Sequence, residues 1–170
     1  MFMLSVAGLS EIDACYELIE QGRAFQREQG FVQWTEVYPQ RLHIQADIEA
    51  GRGYVLKNEE GAVAGYICID FDGEPAYENI KGAWSLDEPC GVLHRMAVSG
   101  KFRGCGLGAL LLAECERVCR QKGVRYIRAD TSIENKRMQH VFEKSGYKRC
   151  GFVELRGADK IAYDKVFEIV

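Results

Sequence analysis

Residues 92–98 have the sequence Val-Leu-His-Arg-Met-Ala-Val, and residues 103–109 have the sequence Arg-Gly-Cys-Gly-Leu-Gly-Ala. The first stretch is typical of a β-strand, and the second is a glycine-rich loop that opens directly into a helical pattern. The first turn of a helix has backbone N–H groups without intrahelical partners, at the positive end of the helix dipole. Glycines let a phosphate oxygen approach these groups closely, and an arginine adds a cationic fork. The pattern predicts a cradle for a diphosphate.

Two better-known phosphate loops are excluded by the spacing. No Lys-Ser or Lys-Thr pair follows the glycines, as a P-loop requires. Glycines alternate at positions 104, 106 and 108 and position 109 is alanine, so the dinucleotide fingerprint G-x-G-x-x-G is absent as well. A glycine-rich loop alone also fits an ordinary tight connection. The uninterrupted order of strand, arginine, glycines and helix favours the phosphate site.

The rest of the C-terminal half has the periodicity of regular elements. Apolar residues repeat at helical spacing from Leu107 to Cys119, and Gly123 is placed to end that helix. The strand, helix and following strand predict a parallel unit with a right-handed crossover. The remaining predictions are a strand at 124–131, a helix from an Asn135 cap to Ser145-Gly146, strands at 147–155 and 160–167, and a hairpin loop at 156–159.

The N-terminal half predicts alternating elements of both kinds. Residues 1–6 predict a first strand, and Ser10 is the expected cap of a helix that runs to Gly22 or beyond. Further along the chain we expect a helix at 39–50, strands at 54–57 and 63–69 with a turn at 58–61, and a long irregular connection at 70–89.

Size and composition fit one globular domain. The chain has 170 residues, 47% hydrophobic and 28% charged, and a net charge of −3. This charge gives no electrostatic case for nucleic-acid binding, and no apolar run approaches the ~18 residues of a membrane span. The chain has an odd number of cysteines, seven, and no C-x-x-C pair, which favours a reducing, cytoplasmic compartment and no metal site. Cys105 lies in the glycine loop at a helix N-terminus, a position that fits either a reactive thiol or an ordinary loop residue.

The order of strand, R-x-x-G-x-G, helix, strand and Asn-led helix ending before Gly-aromatic resembles the GNAT superfamily of acetyl-CoA-dependent N-acetyltransferases. The motifs lie at residues 96–98, 103–109, 130–131 and 135–147, mostly in the C-terminal half. The resemblance implies an α/β fold of mixed α+β type. It has a twisted, largely antiparallel sheet of six to seven strands with a parallel, splayed central pair, and about four flanking helices. It also implies a single acetyltransferase domain over residues 1–170.

The activity implied by the resemblance is transfer of the acetyl group of acetyl-CoA to a primary amine of a small molecule or peptide, by direct attack and without a metal. Two alternatives remain. One is transfer from another acyl-CoA or to a protein N-terminus. The other is a non-catalytic acyl-CoA-binding sensor or partner module. Dimers are frequent in such proteins, so a homodimer also remains open.

The resemblance also assigns roles to individual residues. It implies that backbone groups of the strand bind the pantetheine arm and that the loop binds the diphosphate. The cofactor-binding candidates are Met96, Ala97, Val98, Arg103, Gly104, Cys105, Gly106, Leu107, Gly108, Ala109 and Asn135. Met96 and Val98 also fit a purely structural role in the core. Asn135 also fits a simple helix cap.

His94 is the candidate catalytic base. It precedes Met96 by two residues, so strand alternation predicts that both side chains share a face. An unperturbed pKa of about 6.5 suits proton acceptance at neutral pH, and some family members carry a histidine at a similar place. A hydrogen-bonded structural histidine fits the sequence equally well. The alternative bases are carboxylates of the long connection: Glu74, Glu78, Asp87 and Glu88.

The general acid and the acceptor pocket are less defined. The family commonly has a tyrosine seven residues after the helix-opening asparagine, and this chain has Phe142 there. Tyr147, Tyr163 or water could substitute for it, or no acid is needed because a thiol is already acidic. Aromatic residues at Trp34, Tyr38 and Trp84 are candidates to line a pocket for an amine, although they also fit a core role.

Overall fold

The computed structural model describes residues 1–169. Its strands are β1 (Phe2–Val6), β2 (Gly53–Asn58), β3 (Val63–Asp70), β4 (Lys81–Gly82), β5 (Gly91–Val98), β6 (Tyr126–Ser132), β7 (Lys148–Leu155) and β8 (Ala158–Val166). Its helices are α1 (Ile12–Glu28), α2 (Arg41–Glu49), α3 (Leu107–Gln121) and α4 (Lys136–Lys144). Short 3₁₀ turns cover Leu9–Glu11, Pro75–Asn79 and Gly100–Phe102.

The strands form one sheet in the order β1-β2-β3-β5-β6-β8-β7-β4. Most neighbours are antiparallel, and β5 and β6 form a parallel pair through Gly91 opposite Ile127 and Val92 opposite Arg128. The mixed α/β class and the largely antiparallel sheet predicted from the sequence are confirmed. The sheet has eight strands, more than the six to seven expected, because two residues of the long connection form β4 and pair with β7.

Backbone contacts divide the chain into two compact units. The first comprises Met1–Ile69 and His94–Leu111, so it holds β1, most of β3 and the second half of β5. Its core includes Cys15, Ile19, Ile44 and Val55, and each of these side chains is fully buried. Cys15 and Ile19 lie one turn apart on α1, Ile44 lies on α2 and Val55 lies on β2, so the apolar faces of both helices contribute to one core with the sheet.

The second unit comprises Asp70–Leu93 and the chain from Leu112 onwards. One apolar cluster joins the long connection to β6, β7 and β8 through Tyr77, Tyr126, Val153 and Ala162. In the same unit, Phe142 of α4 stacks on Tyr163 of β8 with ring centroids 4.9 Å apart. Ala162 and Tyr163 are successive residues of β8, so their side chains point to opposite faces of the sheet. Side chains therefore pack against both faces of this strand.

Several predicted boundaries differ from the structure. Ser10 is not the cap of α1, because a 3₁₀ turn precedes this helix and Gly8 donates its N–H to Glu11 Oε1 at 2.9 Å. The predicted hairpin loop at 156–159 shortens to Arg156 and Gly157, whose φ angles of +50° and +76° suit a two-residue turn. Within residues 1–169, the helices are too short or too polar to cross a membrane.

Candidate active site

The glycine loop and the start of α3 form an open N-terminal cap. Gly104 and Gly106 have φ angles of +85° and +73°, in the left-handed region that favours glycine. A Cβ atom at either position would meet no atom within 4 Å, so the space above the loop is open. The N–H of Leu110 bonds to the carbonyl of Gly106 at 3.1 Å, which starts the intrahelical ladder. The preceding amides of the first turn therefore have no intrahelical acceptor and suit an anion.

The segment between β5 and α3 is anchored to the first unit. The Ser99 N–H bonds to the Ala64 carbonyl at 2.8 Å, and the Gly100 N–H bonds to Gln21 Oε1 at 3.0 Å. The guanidinium of Arg103 lies over the Phe25 ring at 3.8 Å from its centroid. This cation–π contact holds Arg103, the residue predicted to bind the diphosphate, against α1 at the base of the loop.

Strand β5 contains an irregularity that the sequence does not predict. Arg95 has a φ angle of +53°, which is rare for a residue with a side chain. Regular strand alternation does not extend through such a residue, so the shared face of His94 and Met96 stays a prediction. Both side chains are half-buried, and Ala97 belongs to the core of the first unit.

Arg95 is held by a buried polar cluster. Its Nη2 and Nε atoms donate to the two carboxylate oxygens of Asp47 at 2.6 and 2.8 Å. The Tyr66 hydroxyl donates to Asp47 Oδ2 at 2.6 Å, and Arg95 Nη1 donates to the Tyr38 hydroxyl at 2.6 Å. The hydrogen bonds to Asp47 raise the pKa of Arg95 although burial opposes the charge, so the guanidinium stays ionised. The cluster joins α2, β3, β5 and the α1–α2 connection.

The aromatic candidates of the α1–α2 connection have different environments. The Trp34 side chain belongs to the core of the first unit. Its ring packs so closely on Gly22 that a Cβ atom added to this glycine would lie only 2.7 Å from the ring. Tyr38 is half-buried, and its ring meets His43 edge to face at 4.9 Å. Of these two candidates, Tyr38 is thus the one whose polar group lies in the cluster of Arg95.

In the second unit, Trp84 packs beside a buried tyrosine and an acid. Its Nε1 donates to the Tyr77 carbonyl at 2.9 Å, and its ring lies 4.6 Å from the guanidinium of Arg128. The Tyr77 hydroxyl donates to Asp130 Oδ2 at 2.5 Å. Burial is the main cause that raises the pKa of Asp130, and the hydrogen bond from Tyr77 opposes this shift.

Helix α4 has the predicted cap and an apolar residue at the expected tyrosine position. Asn135 Oδ1 accepts from the Met138 N–H at 3.0 Å, which confirms the capping role. Phe142 is buried between the rings of Tyr147 and Tyr163. Burial raises the pKa of Tyr147 far above its usual value, and the Tyr163 hydroxyl donates to Glu143 Oε2 at 2.8 Å. Neither phenol is therefore arranged to replace the expected proton donor.

The alternative bases of the long connection are mostly committed elsewhere. Glu88 pairs with Arg125 at 2.6 Å, and this hydrogen bond lowers the pKa of the carboxyl. Glu74 caps the 3₁₀ turn by accepting from the Ala76 N–H at 3.3 Å. Glu78 and Asp87 are exposed. Among the described residues, no group of histidine, cysteine and acidic side chains has the arrangement of a metal site.

Sequence reasoning missed the polar residues that organise both units. Asp47 shares a helical face with Ile44 and Ile48, and an acid on an apolar face was the available signal for a buried partner. In the sequence, Asp130 is recognisable only as part of the 130–131 motif. No local pattern identifies its partner Tyr77, which lies 53 residues away.

Comparison with known proteins gives a family match over much of the chain. The model of the acetyltransferase (GNAT) family matches residues 16–147. The chain is similar to the crystal structure of a GNAT-family acetyltransferase from Streptococcus agalactiae 2603, with a TM-score of 0.90 and 34% identity. This similarity covers 98% of the present chain and 96% of the streptococcal chain.

Two curated proteins of Bacillus subtilis (strain 168) are also similar. The chain is 30% identical to YesJ, an uncharacterized N-acetyltransferase, over 141 residues, or 81% of the chain and 73% of YesJ. It is 32% identical over 114 residues to YwnH, which is provisionally named a phosphinothricin acetyltransferase. That match covers 65% of the chain and spans 63% of the length of YwnH.

Proposed function

Because the chain belongs to the GNAT family of acetyltransferases, we propose that it is an N-acetyltransferase that moves the acetyl group of acetyl-CoA to a primary amine of a small molecule or peptide. The observation that carries this proposal is the open glycine loop before α3. Two left-handed glycines expose the amides of the first helical turn, which suit the oxygens of a diphosphate. Coenzyme A carries such a diphosphate.

The proposed cofactor ligands follow from this geometry. Amides of residues 106–109 bind the diphosphate, and Arg103 adds a charge-assisted contact from its position beside Phe25. Backbone groups of Met96, Ala97 and Val98 orient the acylated arm and donate to the carbonyl oxygen of the thioester. A contact from Asn135 remains a prediction, because its carboxamide oxygen already caps α4.

The remaining chemistry concerns protons. When bound, acetyl-CoA supplies an activated thioester that a neutral amine attacks. His94 accepts the proton of the incoming ammonium group in this proposal, since imidazole titrates near neutral pH. The leaving thiolate needs no dedicated donor, because a thiol has a pKa of about 8.5. This is consistent with Phe142 at the position where the family has a tyrosine.

Further proposals concern the whole chain and its substrate. The family match covers parts of both units, which supports one acetyltransferase domain over residues 1–170. Tyr38 and Trp34 of the first unit are proposed substrate contacts, and Trp84 of the second unit is a separate proposed substrate contact. Phosphinothricin is one acceptor to test, because YwnH is named a phosphinothricin acetyltransferase. A cytoplasmic location and a homodimer are further proposals.

The test combines calorimetric binding of acetyl-CoA with an acetyl-CoA consumption screen over primary amines. Arg103→Ala should weaken acetyl-CoA binding by roughly 1.5–3 kcal/mol, the scale of a hydrogen bond to a charged group. The control Arg41→Ala removes an exposed arginine that pairs with Asp13 and should leave binding unchanged. Equal affinities of Arg103→Ala and the wild type would contradict the proposed diphosphate site.

The same screen tests His94. The variant His94→Gln should lower the transfer rate at neutral pH and recover part of it as the pH approaches the pKa of the amine, because more amine is then already deprotonated. A variant that keeps the full rate at every pH would exclude His94 as the base. Tight acetyl-CoA binding without turnover on any amine would favour a binding module.

A further inference from the structure

Two unfavourable features coincide at Arg95 of β5. Its mostly buried guanidinium pairs with the buried carboxylate of Asp47. Apolar residues of similar volume often stabilise a fold as well as a buried ion pair does, so stability alone does not explain this pair. The backbone of Arg95 also has a left-handed φ angle of +53° inside a strand, a conformation that a side chain opposes. Backbone strain of this kind clusters at functional sites.

The strained residue directly precedes the proposed binding segment for the acylated arm. Arg95 is followed in β5 by Met96, Ala97 and Val98, the last residues of the strand. A left-handed residue interrupts the regular alternation of a strand and bends the chain that follows. The conformation of Arg95 therefore determines where the backbone N–H and C=O groups of residues 96–98 point.

Three elements of the first unit fix the end of the Arg95 side chain. Asp47 of α2 accepts from its Nε and Nη2 atoms, and such a bidentate contact sets the orientation of a guanidinium as well as its position. The Tyr66 hydroxyl of β3 donates to the same carboxylate. Tyr38 of the α1–α2 connection accepts from Nη1. Because these contacts hold the guanidinium, the Arg95 backbone cannot return to an ordinary strand conformation without breaking them.

We propose that Asp47 and Tyr38 are positioning residues that act through Arg95. They hold its left-handed conformation and thereby align the backbone of residues 96–98 with the thioester arm of acetyl-CoA. This inference rests on the proposed function, because acetyl-CoA is the ligand. The diphosphate is assigned to residues 103–109, so the buried cluster should affect binding of the arm and leave binding of the nucleotide part unchanged. A pair that only stabilises the fold gives no such difference.

Alanine and glycine at position 95 separate the backbone effect from the loss of the charge. Both substitutions remove the guanidinium, but glycine adopts a positive φ angle without penalty and alanine does not. Arg95→Ala should weaken acetyl-CoA binding about ten-fold, the size of one or two neutral hydrogen bonds. Arg95→Gly should bind acetyl-CoA about three-fold or more tightly than Arg95→Ala, because it keeps the left-handed conformation accessible.

Calorimetry on the full chain measures these affinities with two probes. One is acetyl-CoA, and the other is phosphoadenosine diphosphate, the nucleotide part of coenzyme A that lacks the pantetheine arm. Both variants at position 95 should bind the nucleotide as tightly as the wild type does. Asp47→Asn and Tyr38→Phe should also weaken binding of acetyl-CoA alone. The loss should be smaller for Tyr38→Phe, because Arg95 then keeps its bidentate partner.

The design includes a control and a second background. Met3 lies on β1 and is 60% exposed, so Met3→Ala and Met3→Gly should both bind acetyl-CoA as the wild type does. If the unpaired acid at position 47 prevents folding of the single variants at position 95, alanine and glycine are compared in the Asp47→Asn background. Tyr38→Phe keeps the ion pair intact and gives an independent measurement.

The outcomes distinguish this inference from the proposed function. Tighter binding of acetyl-CoA by Arg95→Gly than by Arg95→Ala, with unchanged nucleotide binding, supports the positioning role. Equal acetyl-CoA affinities of these two variants, or equal losses for acetyl-CoA and the nucleotide, overturn it without affecting the proposed function. A wild-type chain that binds neither probe would contradict the proposed function and this inference with it.

Discussion

Asp47 and Arg95 form a buried ion pair whose side chains are 8% and 14% exposed. Arg95 adopts a left-handed φ angle in a strand, and such a conformation persists only where its surroundings hold it. The bidentate contact with Asp47 and the hydrogen bond to Tyr38 provide that support. The residue next to the candidate base His94 is therefore fixed by side chains from α2 and from the connection before it.

Removing the charge of Asp47 should therefore be costly. Asp47→Asn leaves the buried Arg95 without a full counter-charge, and the free energy of unfolding should fall by about 3–5 kcal/mol. Urea denaturation followed by circular dichroism measures this change. The control Asp13→Asn alters an acid that is 85% exposed and pairs with Arg41, so its cost should stay within about 1 kcal/mol. Equal costs for the two substitutions would show that the buried pair does not stabilise the fold.

At the scale of elements, the edge of the sheet depends on two glycines. Gly82 of β4 and Gly151 of β7 stand opposite each other with φ angles of +138° and +129°. A Cβ atom on Gly151 would lie 2.0 Å from the carbonyl oxygen of Lys81. This close approach explains how two residues inside a long connection join the sheet.

Gly151→Ala should break this pairing, because both the backbone conformation and the collision oppose a side chain. The free energy of unfolding should fall by about 3 kcal/mol or more in thermal or urea denaturation. Gly61→Ala is the matched control: its φ angle is also positive, +84°, but its Cβ atom would meet nothing within 4 Å. That control should cost only about 1–2 kcal/mol. A Gly151→Ala variant as stable as the control would contradict the proposed role of the close approach.

The sequence predicts those elements whose signal is local. The strand, glycine loop and helix at 92–121 follow from periodicity and turn chemistry, and α4 follows from the Asn135 cap. Strand β4 cannot be predicted from the sequence, because two residues are too few to show the alternation of a strand. Their pairing depends on Gly151, about 70 residues further along the chain. The placement of Asp130 and Lys160 on one face cannot be predicted for the same reason, since only the β6–β8 register brings these residues together.

At the scale of the whole molecule, the cysteines separate into two classes. Cys105 in the glycine loop is exposed, and the other six cysteines are buried. Burial raises the pKa of Cys15 and Cys119 to about 12, so these thiols stay protonated at neutral pH. Cys105 is therefore the thiol expected to react in the folded protein.

A thiol-specific disulfide reagent should consequently modify one cysteine per folded chain at pH 7–8 and seven in denaturant. The variant Cys105→Ser should remove the rapid reaction. Acetyl-CoA should slow modification of Cys105 in the wild type, because the proposed diphosphate site includes this loop. The absorbance of the thiolate released from an aromatic disulfide reagent follows the reaction. Rapid modification of several cysteines, or an unaltered rate with saturating acetyl-CoA, would contradict the burial pattern or the proposed site respectively.

The pair of Asp47 and Arg95 also constrains how this protein can diverge. A protein in which only one of the two residues is replaced has an uncompensated charge inside the first unit. Descendants that lose one residue are therefore expected to be rare unless the other changes in the same lineage. Positions 47 and 95 should accordingly be inherited as a coupled pair, although they lie 48 residues apart along the chain.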